Sequence, residues 1–465
     1  MSDTDLALWS ATELVHAFGR RTVSPVEATD AALSRIGRLN DRLNAFCRVD
    51  AEEALVAARA SEARWAAAAP LGPVDGVPSS IKDLSLTRGT PTLRGSRTVA
   101  PEGPWEVDAP FVARLREQGA VLLGKTATPE FGWKGVTDSP LTGVTRNPWD
   151  PDRTPGGSSG GAAVACATGM GALHQGSDGG GSVRIPAGFT GVYGIKPTFG
   201  RVPAFPLSPF GTVAHIGPLT RTVADAALML SVMGGPDPRD WYATTDGSGL
   251  CHAAGGGSVR GWRIAFCPTL GVGQVDPEVA ALVAAAAGAF AGLGAVVEEI
   301  APPFDDCHEA FRIHWYAGAA NLMAGIPADL QERIDPGLRA IAAEGASIGL
   351  LDYLAAVKAR EALGTGMNLF HQRYDLLLAP TLPIPAFEAG REVPSGSGMA
   401  RWTEWTPFSY PFNLTQQPAA SIPCGRTRAG LPVGLQIVGA KGRDDMVLTA
   451  SAAYEALHPI ELPPV

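Results

Sequence analysis

The spacing of apolar and polar positions predicts amphipathic helices near the start of this chain. Ser10 and Glu13 form a capping box, and Ser24 and Glu27 form a second one with Pro25 at the first helical position. Each box opens a segment with helical spacing of apolar residues, so two helices are expected to wrap around the core. Three further segments predict helices: 52–67, 110–118 and 222–233.

Short apolar runs between the helical segments predict buried strands. They lie near 120–124, 171–176, 192–195, 263–267, 295–300, 375–379, 419–423 and 433–438. Strands that alternate with helices are typical of an α/β fold. The pattern therefore predicts a mostly parallel central sheet that helices cover on both faces.

One uncharged segment, 279–297, resembles a membrane span by length alone. It is mostly Ala and Gly, and Asp276, Pro277 and Glu278 precede it as a helix start. Its drive to insert into a bilayer would be weak compared with a Leu-rich span. We expect a helix to about residue 293, then a turn and a strand over 295–298, and no membrane partner.

The composition limits the class of protein further. The chain has 465 residues, 45% of them hydrophobic and 18% charged, which is typical of a globular protein with a large core. Its net charge of −9 and the lack of a basic cluster argue against a nucleic-acid partner. Six scattered cysteines without a C-x-x-C pair predict reduced thiols in a cytoplasmic protein and no metal site. The N-terminus also lacks a secretion signal pattern.

The glycine-rich stretch 153–197 contains the candidate chemistry. It holds two serine sites wrapped in glycine, Ser158-Ser159 and Ser182, and a lone Lys82 stands far upstream in GVPSSIKDL. Serine needs a base within hydrogen-bonding reach before it can act as a nucleophile. Glycines beside a serine let backbone N–H groups approach a substrate oxygen closely. These parts together indicate acyl transfer.

Two other interpretations of the glycines are weaker. Residues 119–126 match the P-loop pattern G-x-x-x-x-G-K-[ST], but the pattern predicts a helix, then Gly119, then a strand, which is the wrong order for a phosphate loop. Residues 157–161 match a nucleophile elbow with Ser159 as nucleophile. That elbow needs a strand leading in, whereas 147–155 contains three prolines. Seven histidines are candidate bases for it, none in a motif-like setting: His174, His215, His252, His308, His314, His371 and His458.

A third interpretation, a Ser–Ser–Lys site, rests on a resemblance. GVPSSIKD (76–83), LLGKTATPEFG (122–132), TRNPWDPDRTPGGSSGG (145–161), GSDGGGSVRIPAGFTGVYGIKPTFGRVP (176–203) and GLPVGLQIVG (430–439) are similar to the motifs of the amidase signature family. The resemblance extends from about residue 5 to 458. It implies a single large domain, 1–465, with a mixed central sheet flanked by helices.

The resemblance also implies a role for each motif residue. Lys82 matches the base, Ser158 the bridging serine that usually follows a cis peptide bond, and Ser182 the nucleophile. The backbone amides of Gly179, Gly180, Gly181 and Ser182 match the oxyanion hole. Asp178 and Arg184 match supporting positions behind the nucleophile, either as a structural ion pair or as part of the catalytic arrangement.

The chemistry of such a site can be argued from the residue types. Ser182 must lose its proton as it attacks a carbonyl carbon, and Lys82 accepts that proton only when neutral. The Lys82 pKa must therefore fall by several units from about 10.4, and burial would supply part of that fall. A hydroxyl both donates and accepts, so Ser158 can pass the proton between the two residues.

The domain is predicted to contain four parts: N-terminal helices in 5–70, a catalytic core in 70–240, a variable substrate wall in 305–412, and C-terminal core strands and a helix in 413–458. Five aromatic residues in the wall predict a lid over an apolar group, or alternatively a loop that fills its own core. They are Trp402, Trp405, Phe408, Tyr410 and Phe412.

We therefore expect a hydrolase of C–N acyl bonds that needs no cofactor and acts on a small, fairly apolar amide. Anilides and carbamates (urethanes) fit the same chemistry, and a homodimer is a further expectation. The alternative is the glutaminase subunit of a tRNA-dependent amidotransferase, which must hold the charged end of glutamine. A scaffold without activity would be expected to lose Lys82, Ser158 or Ser182, and all three are present.

Overall fold

The computed structural model describes residues 5–244, 250–255, 257–271 and 274–464. The α-helices in these ranges are α1 Ala11–Arg20, α2 Pro25–Leu43, α3 Ala51–Ala66, α4 Pro110–Glu117, α5 Gly160–Ala167, α6 Arg184–Thr190, α7 Val223–Met233, α8 Leu250–Ala253, α9 Pro277–Gly292, α10 His308–Ala324, α11 Pro336–Ala346, α12 Leu350–Phe370, α13 Pro411–Leu414 and α14 Asp444–Glu455. The strands are β1 Phe46–Val49, β2 Pro78–Lys82, β3 Val121–Thr126, β4 Asp138–Ser139, β5 Gly143–Val144, β6 Leu173–Asp178, β7 Tyr193–Lys196, β8 His215–Thr220, β9 Arg263–Phe266, β10 Val296–Glu299, β11 Leu376–Pro380, β12 Ala419–Arg426 and β13 Pro432–Gly439.

The main sheet has 11 strands in the order β1-β3-β2-β6-β8-β7-β12-β13-β11-β9-β10. Strand β2 is parallel to β3 and β6, and β9 is parallel to β10 and β11. Every other neighbouring pair in the described sheet is antiparallel. The α/β fold with a mixed sheet flanked by helices is confirmed, but the prediction of a mostly parallel sheet is wrong.

The error has two causes in the sequence pattern. The predicted set of strands lacked β1, β2 and β8, and of these β1 and β8 pair antiparallel with their neighbours whereas β2 is parallel to both of its own. Strands β12 and β13 were predicted, but the five residues 427–431 that join them are too few for a crossover helix, so the pair forms a hairpin.

The two parallel strands β2 and β6 place the candidate chemistry at one edge of the sheet. Every residue of β2 is buried, and Lys82 is its last residue. Asp178 is the last residue of β6, which lies next to β2 and runs in the same direction. Because the carboxyl ends of parallel neighbours meet at the same edge, Lys82 comes close to the segment around Asp178.

Both predicted capping boxes are present. In the first, Ser10 Oγ accepts from Glu13 N at 3.2 Å, and Glu13 Oε2 accepts from Ser10 N at 2.8 Å. A second acid also caps α1, since the carboxylate of Asp225 in α7 accepts from the N–H groups of Ala11 at 2.8 Å and Thr12 at 3.0 Å. The N-terminal helix is therefore bonded to the core across more than 200 positions of sequence.

The segment with the P-loop pattern has the predicted order. Helix α4 ends at Glu117, Gly119 has a φ of 84°, and β3 begins at Val121. Lys125 Nζ is buried and donates to Ser85 O at 2.6 Å, so it does not face an open phosphate loop.

The uncharged segment forms α9 and β10 as expected. No single helix in the described ranges is both long and apolar enough to span a membrane; α11 and α12, which meet at 101°, pass that test only when taken together.

These two helices and α10 fill much of the 305–370 region, for which the sequence pattern made no prediction of secondary structure.

Candidate active site

The Lys82 side chain is fully buried and surrounded by hydroxyl groups. Its Nζ atom lies 2.7 Å from Ser158 Oγ, 2.9 Å from Ser159 Oγ and 3.0 Å from Ser177 Oγ. A neutral lysine has two N–H groups and one lone pair, so it can bind three hydroxyls if one of them donates. The arrangement suits an amine that both gives and takes protons.

Burial lowers the Lys82 pKa well below its ordinary value of 10.5, because water no longer solvates the charged form. The negative charge of Asp178 opposes this fall in pKa without reversing it. The three hydroxyls are neutral and supply no compensating charge. The neutral amine that a general base requires is therefore favoured here.

Ser158 and Ser182 lie on neighbouring turns. The peptide bond between Gly157 and Ser158 is cis, and Ser159 N donates to Ser182 O at 3.1 Å, which ties the two serine segments together. Both side chains are almost completely buried. Within the described part of the chain, the Ser182 hydroxyl makes no hydrogen bond, so the contact between Ser158 and Ser182 that a relay needs is not made here.

Ser159 and Ser177 complete the group around Lys82, and the sequence reasoning missed both contacts. Ser159 Oγ accepts from Ser177 N at 3.2 Å and donates to Ser177 O at 3.1 Å. Its proton is therefore already used, and the residues 147–155 that precede it form turns rather than a strand. Neither observation favours Ser159 as the nucleophile of an elbow.

The described histidines do not supply a base for these serines. His174 bonds to Ser80 Oγ at 2.8 Å, and burial lowers its pKa to about 3. His215 Nδ1 lies 2.8 Å from Val213 O. Among the described side chains, none of the histidines bonds to Lys82, Ser158 or Ser182; the side chain of His252 lies outside the described residues.

Asp178 and Arg184 form a completely buried ion pair behind the serine. Arg184 Nε donates to Asp178 Oδ2 at 3.0 Å, and Nη2 donates to Oδ1 at 2.9 Å. Burial by itself would raise the pKa of Asp178, but the guanidinium charge and the hydrogen bonds hold it well below its ordinary value. The carboxylate therefore stays ionised.

The remaining donors of Arg184 all have acceptors in the segment 409–413 or in β13. Nη1 donates to Ser409 O at 2.8 Å and Gln436 Oε1 at 2.7 Å, and Nη2 also donates to Asn413 Oδ1 at 2.7 Å. All five N–H groups of the guanidinium are thus used. The pair fixes the turn 178–184 to α13 and β13.

The four predicted oxyanion amides divide into two kinds. Gly181 N already donates to Asp178 Oδ1 at 2.8 Å. The amides of Gly179, Gly180 and Ser182 donate to no acceptor in the described residues, although all three residues are buried. Buried amides without an acceptor are rare and costly, so three of them in one turn indicate a site for an oxygen of a bound molecule.

Aromatic rings cover the two glycines of this turn. A methyl group added at Gly179 would lie 2.9 Å from Cζ3 of Trp315, and one added at Gly180 would lie 2.7 Å from Cη2 of Trp402 and 2.8 Å from Cζ of Phe311. Any side chain larger than hydrogen would therefore displace the backbone or the rings.

The five aromatic residues predicted to form a lid are all buried in the core. Tyr410 stacks on Phe311 with ring centroids 4.6 Å apart. Trp405 packs near Phe189, and Phe408 and Phe412 belong to a separate cluster under β11 and β13. Trp402, Trp405 and Tyr410 share one cluster with Phe311, and Trp402 lies directly against the candidate oxyanion turn. Phe408 and Phe412 lie in the other cluster, so the five residues do not form one wall.

A cavity of about 240 Å³ lies beside the Lys82 group, and sequence reasoning missed it. Ser177, which bonds to Lys82, is part of its wall. The apolar wall includes Phe111, Phe131, Phe199, Phe205 and Ile216, and the polar wall includes Arg94, Ser177, His215 and Asp240. The one available signal was the proline- and aromatic-rich segment 197–216, which supplies much of this lining.

Comparison with known proteins places the site in a family. The amidase family model matches residues 27–448. The chain is 38% identical over 466 residues to an acylamidase of Rhodococcus erythropolis, with 99% of this chain and 97% of that protein covered. It is 36% identical over 495 residues to one subunit of the glutamyl-tRNA(Gln) amidotransferase of Myxococcus xanthus, with 98% of both proteins covered.

A solved structure agrees with this placement. The crystal structure of a bacterial aryl acylamidase of the amidase signature family superposes with a TM-score of 0.90 at 32% identity, covering 97% of this chain and 96% of that one. The chain belongs to the amidase signature family. It is a hydrolase that acts on amide carbon–nitrogen bonds.

Proposed function

We propose that this hydrolase cleaves small, fairly apolar amides, and anilides or carbamates of similar size, through an acyl-enzyme on Ser182. The observation that carries the proposal is the contact of 2.7 Å between the Ser158 hydroxyl and Lys82 Nζ, an amine whose pKa burial lowers. Lys82 is then the base, and Ser158 the hydroxyl that passes the proton.

The first half of the reaction forms the acyl-enzyme. Ser182 Oγ attacks the carbonyl carbon while its proton moves to Ser158, whose own proton moves to Lys82. The carbonyl oxygen becomes an oxyanion and takes hydrogen bonds from the free amides of Gly179, Gly180 and Ser182. Each such bond contributes about 2.7–4 kcal/mol in the transition state. The relay then runs backwards, protonates the nitrogen, and the C–N bond breaks.

The second half uses water as the nucleophile. Water attacks the ester carbonyl and gives its proton to the same relay, and Ser182 leaves with a proton returned from Lys82 by way of Ser158. At the carbonyl carbon the bond to nitrogen is replaced first by the bond to Ser182 Oγ and then by a bond to the water oxygen. An amide gives a carboxylic acid and an amine, and a carbamate gives a carbonic acid half-ester and an amine. Ser158 has to turn towards Ser182 for this, since no hydrogen bond joins them among the described residues.

The relatives and the cavity support an apolar substrate. One relative is an acylamidase and one solved neighbour is an aryl acylamidase. The cavity beside Ser177 is lined mainly by aromatic and aliphatic side chains. Apolar lining with a few polar groups suits the binding of a flat or aliphatic body.

A glutaminase that feeds an amidotransferase is the second candidate, because a relative of 36% identity belongs to such an enzyme. This function needs groups that hold both the amino and the carboxylate group of glutamine. The Asp240 carboxylate in the cavity wall already accepts hydrogen bonds from Ala204 N at 2.8 Å and Tyr242 N at 2.9 Å. Asp240 is the one acid in the described lining of the cavity, so no free carboxylate is left there for the amino group of glutamine, and this favours the first candidate.

The test combines labelling with a substrate panel. A fluorophosphonate should label wild type at Ser182, and mass spectrometry of the digest locates the adduct. Ser182→Ala should lose labelling and activity on p-nitroanilides, with Ser159→Ala as the matched control that keeps the label. An adduct on Ser159 would contradict the assignment, and turnover of glutamine but of no anilide or carbamate would select the second candidate.

A further inference from the structure

Two residues on the cavity wall have an unusual backbone. Arg94 has a φ of 58° and Phe131 a φ of 52°, and both line the cavity beside Ser177. A non-glycine residue in the left-handed region is held there at a cost of about 1–3 kcal/mol. Such residues persist only where their surroundings fix them, and they are concentrated at functional sites.

The residue after Lys82 fixes Arg94 from one side. Asp83 Oδ1 accepts from Leu93 N at 3.0 Å, and Asp83 Oδ2 accepts from Gly95 N at 3.0 Å. From the other side, Arg94 O accepts from Phe131 N at 2.8 Å. The turn that presents Arg94 is thus bonded both to the strand end that holds Lys82 and to the facing wall of the cavity.

The Arg94 guanidinium itself is left without a partner. In the described ranges of the chain it makes no hydrogen bond and no ion pair, in contrast to Arg184, whose five donors are all used. Asp83 acts on it only at longer range, since the two Asp83 oxygens bind backbone amides. Partial burial removes some of its water, and this lowers the Arg94 pKa.

We infer that Arg94 determines specificity by binding a carboxylate on the substrate, at the end that fills the cavity. The inference rests on the proposed function and narrows its substrate class to amides with an apolar body and one carboxylate. A guanidinium offers two parallel N–H groups that match the two oxygens of a carboxylate. The surrounding aromatic wall would strengthen the bond by excluding water, because electrostatic attraction grows as the local dielectric falls.

The experiment compares matched substrates that differ only in a carboxylate. Butyranilide and succinanilic acid differ on the acyl side, and acetanilide and 4-acetamidobenzoate differ on the aniline side. Wild type is expected to prefer the carboxylate member of one pair in kcat/KM. Release of the aniline product, followed by chromatography, measures all four substrates in the same way.

Three variants separate recognition from folding. Arg94→Gly removes the guanidinium and adopts a φ of 58° without strain, so it should fold as well as wild type. It should lower kcat/KM for the preferred carboxylate substrate about tenfold or more, mainly through KM, which is the effect of losing a charged hydrogen bond. Its effect on the neutral partner should be small. Arg94→Lys should restore part of the loss, and Arg97→Ala, an exposed arginine three residues away, should change neither substrate.

Each outcome decides one question. Equal losses on both members of a pair in Arg94→Gly would overturn the inference and make Arg94 a structural residue. Wild-type turnover of neutral anilides with no preference for either carboxylate would also overturn it, while leaving the proposed function in place. Failure of wild type on every amide in the set would instead count against the proposed function.

Discussion

Arg184 donates hydrogen bonds to both carboxylate oxygens of Asp178, at 3.0 and 2.9 Å. Among the described residues, the equally buried Lys82 amine forms hydrogen bonds only with hydroxyl groups. The buried amines of Lys82 and Lys196 also lie near this carboxylate, but in the described part of the chain only the guanidinium forms an ion pair with it. Arg184 cannot lose its proton in a protein, whereas a buried lysine can. Arg184 therefore holds the turn through a permanent charge, and the absence of an ion pair at Lys82 supports its proposed role in proton transfer.

The first prediction concerns the pH dependence of activity. Only neutral Lys82 accepts a proton, so kcat/KM should rise as pH rises through the Lys82 pKa and stay high above it. Because burial lowers that pKa, the rise should occur well below 10.5. Lys82→Arg should be nearly inactive at every pH, since a guanidinium stays protonated. A Lys82→Ala enzyme with most of the wild-type rate across the pH range would remove lysine from the mechanism.

The second prediction concerns the turn that holds the free amides. Gly180→Ala places a methyl group 2.7 Å from Trp402 and 2.8 Å from Phe311, so the turn has to shift. A displaced donor at this position should lower kcat by about 10²–10³. Gly288→Ala is the control, because no atom lies within 4 Å of its added methyl group. Wild-type kcat in Gly180→Ala would show that this amide does not bind the reacting oxygen.

The third prediction separates two neighbouring tryptophans. The Trp405 ring lies 5.9 Å from that of Phe189 and 5.1 Å from that of Phe387 between centroids, and it is not among the nearest atoms to a methyl group added at Gly179 or Gly180. Trp405→Ala should therefore destabilise the fold by about 3–5 kcal/mol with little change in kcat/KM of the folded protein. Trp402→Ala should destabilise it similarly and also lower kcat/KM, because Trp402 packs on Gly180. The measurements are urea unfolding and steady-state rates. Equal kinetic losses in both variants would mean that the distinction is wrong.

The fourth prediction concerns stability and pH. Burial raises the pKa of Glu455 to about 7 in the folded protein, and the nearby Asp225 adds to the rise, whereas the ordinary value is 4.5. The folded state therefore binds this proton more tightly than the unfolded state. The free energy of unfolding should fall as pH rises from about 4.5 to 7, and the loss should be complete above that window.

Glu455→Gln should weaken this pH dependence and stabilise the protein at about pH 8, since the amide keeps an oxygen for Val223 N. Glu361→Gln, an exposed glutamate on α12, is the matched control and should leave the curve unchanged. Thermal unfolding between about pH 5 and 8 measures both. An unchanged slope in Glu455→Gln would place the pH dependence elsewhere.

The sequence predicts an element correctly where a few neighbouring residues determine it. The capping boxes at Ser10 and Ser24 and the strand over 433–438 depend on neighbouring residues, and the structure contains all three. The proximity of Lys82, Ser158 and Ser182 followed from the resemblance of long motifs. Their catalytic roles stay predictions.

Contacts between distant strands could not be read in this way. Ser177 reaches Lys82 only because β6 pairs with β2, and Arg94 reaches the cavity only through the turn that Asp83 holds. The aromatic residues at 402–412 predict burial, but their sequence does not distinguish a pocket wall from a core. Tyr410 packs on Phe311 and Trp405 on Phe189, two residues that are remote in sequence.

The bond between Asp225 and the start of α1 sets how far this protein can be shortened. The family model matches from residue 27, a boundary that leaves α1 outside. A chain cut there would lose the N–H groups of Ala11 and Thr12 and leave the Asp225 carboxylate buried without them. A minimal version made for crystallisation or directed evolution therefore has to begin ahead of Ala11, whatever boundary the family suggests.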